Sequence, residues 1–210
     1  MNDEDRIARL LWPPFEKTPR DPGYIKAYPP GLRENGGQYS HAAAWLGLAL
    51  AQTGDADGAL DAFHMICPVH RAATQEGAEL YRIEPYVVPG DIAAAEPHRG
   101  KGGWSWYTGA ASWAWRLGVE GLLGLTMHDG SVCIAPSLPT DWPGYNATLR
   151  RGNASIAVQV ERSQDSLDTQ VEVDGVPFAR EAIAFPAEGE TRNVLVRIGQ
   201  KTLTRAGAPA

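Results

Sequence analysis

Cysteine is scarce in this 210-residue chain: Cys67 and Cys133 stand far apart, so neither a disulfide framework nor a CxxC zinc site can be built. That usage suits a reducing compartment. Long apolar runs are missing too. No stretch of about 18 uncharged apolar residues occurs, and the start MNDEDRIARL opens on acids where an export signal carries a basic region followed by an apolar one. A soluble, cytoplasmic chain is the expectation. Basic charge is the minority: 19 Lys and Arg stand against 25 Asp and Glu, a net charge of −6, which argues against a nucleic-acid partner. Short catalytic signatures are lacking as well. The five histidines show no HExxH or other metal-ligand spacing, there is no GxSxG elbow, and GKGGWS at 100–105 fails the GxxxxGK[ST] phosphate-loop pattern. No metal site is expected, and no internal repeat is found.

What is plentiful is Gly (23), Pro (16) and Trp (7), a composition for shaped loops and aromatic surfaces. The run 39–53, YSHAAAWLGLALAQT, reads as a helix stopped by Gly54; Asp55 offers an N-cap for a second helix, ADGALDAFHMI, ending before Pro68, and the two make an antiparallel hairpin. A third helix is expected over 109–123, with Gly124 just past its end. Between Pro68 and Gly103, four prolines and several glycines predict long loops. The first thirty residues read as an extended strap. Near Gly130 the composition turns to strands: Ile156, Val158 and Val160 alternate with Ala157, Gln159 and Glu161, Val171 and Val173 alternate with Glu172 and Asp174, and Asp174-Gly175 signals a hairpin. The expected class is α+β, helical over 1–129 and a small antiparallel sandwich-like β-domain over 130–210.

Three segments carry candidate chemistry. In RENGGQYSHAAAW (33–45) two glycines precede a helix whose first turn holds Tyr39, Ser40 and His41; free N–H groups and the local dipole suit an anion, although a plain tight turn with a capping or packed histidine explains the same residues. In HRGKGGWSWYTGAASWAW (98–115) alternation places Trp104 and Trp106 on one side of an extended segment, whereas Trp113 and Trp115 fall on different helix faces. Flat rings edged by N–H suit sugar faces, and interior packing suits them equally. In Glu84-Pro85-Tyr86-Val87, with Asp91 nearby, a carboxylate in a Pro-fixed loop either holds sugar hydroxyls, acts as an acid, or makes a surface ion pair.

These strings, in order, with YPPGLRENGGQYSHAAAW, RIEPYVVPGDI, HRGKGGWSWYTGAASWAWRLGVEGLLGL and IAPSLPTDWPGY, resemble glycoside hydrolase family 94, the inverting β-glucoside phosphorylases, and within it the C-terminal phosphorylase-like region of cyclic β-1,2-glucan synthases. The resemblance implies the C-terminal part of an (α/α)6 barrel followed by a small β-domain. It implies a reaction in which a carboxylic acid protonates the glycosidic oxygen while inorganic phosphate, a co-substrate rather than a cofactor, attacks the anomeric carbon. His41 matches the family's phosphate-binding histidine. The family's TG[TS]A motif reads Thr108-Gly109-Ala110-Ala111 here, leaving Thr108 or Ser112 to contact phosphate. Arg33, Glu34, Gln38, Glu84, Tyr86, Trp104 and Trp106 are the matching sugar-binding candidates. The family's acid lies in a DWND-like motif upstream of ENGG, and this sequence contains no such motif. Two readings follow: a segment of a β-glucan phosphorylase or glucosyltransferase whose partner, the N-terminal half or a second copy, covers the open barrel edge; or a non-catalytic carbohydrate-binding remnant.

Overall fold

Gly54 ends the first helix as the sequence predicts. In a computed structural model describing residues 6–106, 108–163, 165–179 and 182–199, helix α1 (Ser40–Thr53) closes where Gly54 turns to φ +89°. The Gly54 N–H donates to the Ala51 carbonyl and the Asp55 N–H to that of Leu50, the paired bonds of a left-handed glycine cap. Helix α2 (Ala56–Ile66) has the expected bounds. A Cβ on Gly47 of α1 would lie 3.1 Å from that of Ala62 in α2, so a bare backbone lets the helices meet. Leu117 fills the rest of that gap, buried with Ala43, Ala44, Ile66 and Ala114. The acidic start 1–5 and the tail from 200 lie outside the described residues.

Two expectations need correction in the helical part. The 68–103 segment is not loop throughout: it holds helices α3 (Pro68–Arg71) and α4 (Gln75–Tyr81). Pro68 opens a helix where no N–H is needed, and the Thr74 hydroxyl caps α4 by accepting from the Gly77 N–H at 3.0 Å. The segment also supplies β2 (Asp91–Ile92) and β3 (Gly102–Gly103), which join β1 (Gln38–Tyr39) in an antiparallel sheet ordered β1-β2-β3. The third expected helix is α5 (Ala110–Arg116) followed by a π turn, Leu117–Leu122. The wider turn opens at Leu117, the residue wedged against Gly47. Among the described residues no helix is long and apolar enough to cross a membrane.

Contacts divide the chain into two units, residues up to Ala49 with Gly58–Gly118, and Leu50–Asp57 with residues from Val119. In the second, β4 (Leu125–His128) and β5 (Ser131–Ile134) form a hairpin across Asp129-Gly130, so the composition shift at Gly130 falls in its turn. With β10 (Ala182–Ala184) they make the sheet β10-β5-β4. A larger sheet takes β6 (Gly144–Arg151), β7 (Ala154–Arg162), β8 (Gln170–Val173), β9 (Val176–Pro177) and β11 (Thr191–Ile198) in the order β6-β7-β11-β8-β9. The β8–β9 turn is the expected one, with Asp174 and Gly175 at φ 51° and 78°. The sheet is mixed rather than wholly antiparallel, because β7 and β11 run parallel from Ser155↔Thr191 to Arg162↔Ile198. Alternation fixes which face is buried, not which way a strand runs. Ile156, Val158 and Val160 face the same core as Val194, Val196 and Ile198, together with Leu125, Val132 and Ile183 of the smaller sheet. Helices and mixed sheets make the chain α+β.

Two substitutions test this packing. Gly124 sits at φ +64°, where a Cβ would lie 2.0 Å from the Ala135 carbonyl oxygen. Gly124→Ala is expected to cost at least about 2 kcal/mol, from left-handed strain and a backbone clash. Ile156→Val, which removes one buried methylene, is expected to cost about 0.5–1.5 kcal/mol. Urea unfolding followed by circular dichroism measures both, and equal effects would contradict the assignment.

Candidate functional site

A buried amide organises the site. Asn35 is fully enclosed; its Nδ2 donates to the Tyr28 carbonyl at 2.8 Å and its Oδ1 accepts from the Phe15 N–H at 2.6 Å. The Leu10 N–H donates to the Gly37 carbonyl and the Gly36 N–H to that of Leu10, so the N-terminal strap is bound to the Gly-Gly turn on both sides. Gly36 is at φ +87°, and a Cβ on Gly37 would meet the Arg33 backbone at 2.8 Å. Both glycines are therefore demanded by the turn itself. Just beyond it, β1 leads into α1 and delivers Tyr39 and His41 to one cleft.

That cleft, of about 590 Å³, is lined by Tyr28, Arg33, Tyr39, His41, Gly90, Trp104, Trp106, Thr108 and Gly109. At one end the His41 ring stacks on Tyr39 with centroids 5.9 Å apart, and packs edgewise on Trp45 (5.9 Å) and Trp113 (6.3 Å). A Cβ on Gly109 would lie 3.2 Å from His41 Cε1, so bare backbone lies against the imidazole. The Thr108 hydroxyl accepts from the Ala110 N–H at 3.0 Å, which leaves its proton to donate. At the other end the Arg33 guanidinium lies 4.7 Å from the Trp104 ring centroid, 5.3 Å from Tyr28 and 5.6 Å from Tyr39. Tyr39 thus touches both Arg33 and His41.

Trp104 and Trp106 share the cleft for a reason other than strand alternation. They occupy a turn with φ 56° and 65°, in left-handed backbone that non-glycine residues seldom adopt. Trp106, 70% exposed, donates its indole N–H to Glu84 Oε1 at 2.9 Å, and the Tyr86 ring packs edgewise on it at 6.3 Å. The indole hydrogen bond holds the Glu84 carboxyl below its ordinary range. Glu84 and Tyr86 therefore brace Trp106 from outside the lining.

Other sequence candidates are placed elsewhere. Gln38 is fully buried; its Oε1 accepts from the Ala8 N–H at 2.9 Å and its Nε2 donates to the Met65 carbonyl at 3.1 Å, so both ends serve the fold, and Gln38 is not among the residues lining the cleft. Ser112 is exposed on α5 and does not line the cleft, whereas Thr108 does. Glu34 is mostly buried beside Arg33, 3.5 Å from its Nε. The α1 terminus is partly engaged already: the Ser40 N–H donates to the Gly90 carbonyl, while its hydroxyl is buried without a partner. Sequence reasoning missed Tyr28 and the tie through Asn35, and named Tyr39 only as part of the helix's first turn. Only the position of the tyrosines around ENGG hinted at them.

No carboxylate is among the described residues lining the cleft. An imidazole edge, a hydroxyl and bare glycine backbone suit an oxyanion at one end, and exposed indoles with a guanidinium suit a flat hydroxylated ring at the other.

Comparison with known proteins agrees with this chemistry. The chain is 49% identical over 174 residues to the cyclic β-(1,2)-glucan synthase NdvB of Rhizobium meliloti, covering 83% of this chain and 6% of that protein. It is 26% identical over 192 residues to the N,N′-diacetylchitobiose phosphorylase of Vibrio proteolyticus, covering 89% of this chain and 23% of that one, and 25% identical over 189 residues to the solabiose phosphorylase of Paenibacillus borealis, covering 89% and 24%. This chain thus spans a quarter or less of each of these relatives. The family model of the glycosyl hydrolase 94 superfamily catalytic domain matches residues 2–124, and the chain belongs to that superfamily.

Proposed function

We propose that this chain forms one wall of the sugar and phosphate site of an enzyme acting on β-linked glucans, by inverting phosphorolysis or by glucosyl transfer. The observation that carries the reading is the cleft itself, which brings Arg33 and His41 together with Trp104, Trp106 and Thr108 from two segments distant in sequence. His41 and Thr108 donate to inorganic phosphate, with the Gly109 backbone letting it approach. Trp104 and Trp106 stack on glucosyl faces, and Arg33 meets ring hydroxyls. The reaction needs a carboxylic acid on the leaving oxygen, opposite the attacking phosphate. With no carboxylate in the described lining, the wall built here serves phosphate and sugar, and the acid comes from the remainder of an (α/α)6 barrel. No cofactor takes part.

The absent DWND-like motif favours a second reading for the chain by itself, a carbohydrate-binding module without turnover. Titration calorimetry with β-1,2-gluco-oligosaccharides separates the two: binding without turnover supports the second, and phosphate-dependent turnover by this chain alone rejects it.

Two predictions follow from the leading reading. When the segment is joined to a complete upstream half, His41→Ala is expected to reduce glucose 1-phosphate release from β-1,2-glucan by about 100-fold or more and to raise the KM for phosphate. Unchanged activity would remove His41 from the site. Trp104→Ala is expected to weaken oligosaccharide affinity by about 1–2 kcal/mol, with the KM for phosphate little changed. An effect confined to phosphate would reverse the assignment of the two ends.

A further inference from the structure

A second concavity, of about 330 Å³, shares no lining residue with the cleft. Arg82, Arg99 and Lys101 line it beside His98, and Glu96 is the one carboxylate among them. Three cations to one anion reverses the balance of a chain whose net charge is −6. Like charges gathered at one concavity repel each other, and an incoming anion relieves that repulsion. Among the described residues Arg82 and Lys101 make no ion pair, so Glu96 neutralises neither of them through a salt bridge.

The backbone gathers these groups from two elements. The loop joining β2 to β3 is closed by the Ala93 N–H on the Lys101 carbonyl at 3.0 Å and the Gly100 N–H on the Ala93 carbonyl at 2.8 Å. Its tip folds through two further bonds, from the His98 N–H to the Ala95 carbonyl and from the Lys101 N–H to the His98 carbonyl. Gly100 is left-handed at φ +80°, and a Cβ there would run into the Leu80 side chain, so the loop lies directly on the end of α4. Arg82 caps that helix at φ 56°; its N–H donates to the Ala78 carbonyl and its Nε to the Glu79 carbonyl at 2.9 Å. The stem of Arg82 is thereby fixed while its terminal N–H groups stay available at the concavity, where they suit a phosphate better than a point charge would. Ile7, 1% exposed, and Leu80 supply an apolar part of the same lining. A bare inorganic ion needs no such surface, and the volume lies at the small end of organic-ligand pockets, about 300–1,000 Å³.

We propose that this concavity is a binding site for a small organic phosphate of the sugar-monophosphate class, its dianion met by Arg82, Arg99 and Lys101 and its body lying against Ile7 and Leu80. The site is separate from the phosphate and sugar cleft and does not rest on the function proposed for it. Glucose 6-phosphate is the probe, with glucose and inorganic phosphate for comparison, and the backbone N–H resonances of His98, Gly100 and Lys101 in the 210-residue chain are the readout. Glucose 6-phosphate is expected to shift them saturably, inorganic phosphate to do so about tenfold more weakly, and glucose not at all. Arg82→Gln and Lys101→Gln are each expected to weaken the apparent affinity about fivefold, and added salt to weaken it in the wild type. Because β3 alone separates Lys101 from Trp104, the cleft is controlled with His41→Ala, which is expected to leave the affinity unchanged. A loss in His41→Ala assigns the binding to the cleft and overturns the proposal. Unmoved resonances, inorganic phosphate binding as tightly as the ester, or wild-type affinity in both charge variants overturn it as well.

Discussion

The candidate site depends on the enclosure of one amide. Asn35 has no contact with solvent, and an amide buried without partners costs several kcal/mol, so its bonds to Tyr28 and Phe15 are obligatory. Those bonds hold the strap against the Gly-Gly turn, and the turn sets the start of β1. Arg33, Tyr39 and His41 all lie within a few residues of that amide. A strap with little core of its own is thereby made part of the cleft wall, with Ile7 buried beside Tyr81 and Ile92.

The opposite wall is held by different means. Trp104 and Trp106 occupy left-handed backbone at an order of 1–3 kcal/mol each, a cost that persists only where surrounding structure fixes the geometry. Glu84 and Tyr86 brace Trp106, and the close approach of Gly90 to Trp104, where a Cβ would lie 2.9 Å from the Trp104 Cβ, leaves no room for another residue. Indoles this exposed would collapse onto neighbouring apolar surface if free to do so. The braced backbone sets both indoles, exposed, on the cleft lining, which is what stacking on a ring requires.

Legibility followed the kind of physics involved. Helix ends set by glycine, alternating strands and the Asp174-Gly175 hairpin depend on local backbone chemistry, and the sequence showed them. The parallel β7–β11 pairing did not show, because Ile156, Val158 and Val160 alternate identically whichever way the partner runs. Pro68 reads as a breaker until the helix it opens is seen. Gln38 looks like a ligand-binding amide for the same reason that it is a structural one: it offers both a donor and an acceptor. The left-handed turn at Trp104–Trp106 has no sequence signal, since glycine is the usual marker and neither position carries it.

On the proposed reading, the distribution of charge around the cleft has a further consequence. Two carboxylates near it are restrained: Glu84 by the Trp106 indole and Glu34 beside Arg33. A free carboxylate beside His41 would repel an incoming phosphate dianion, and at about 4 Å and an effective dielectric near 20 that repulsion amounts to several kcal/mol. A wall built for phosphate therefore keeps its acids tied, and the proton donor is best placed on the far side of the sugar. Arg33 serves both needs, pairing with Glu34 while its guanidinium lies against the Trp104 ring on the cleft lining, so a single cation balances the local acid and faces the ligand.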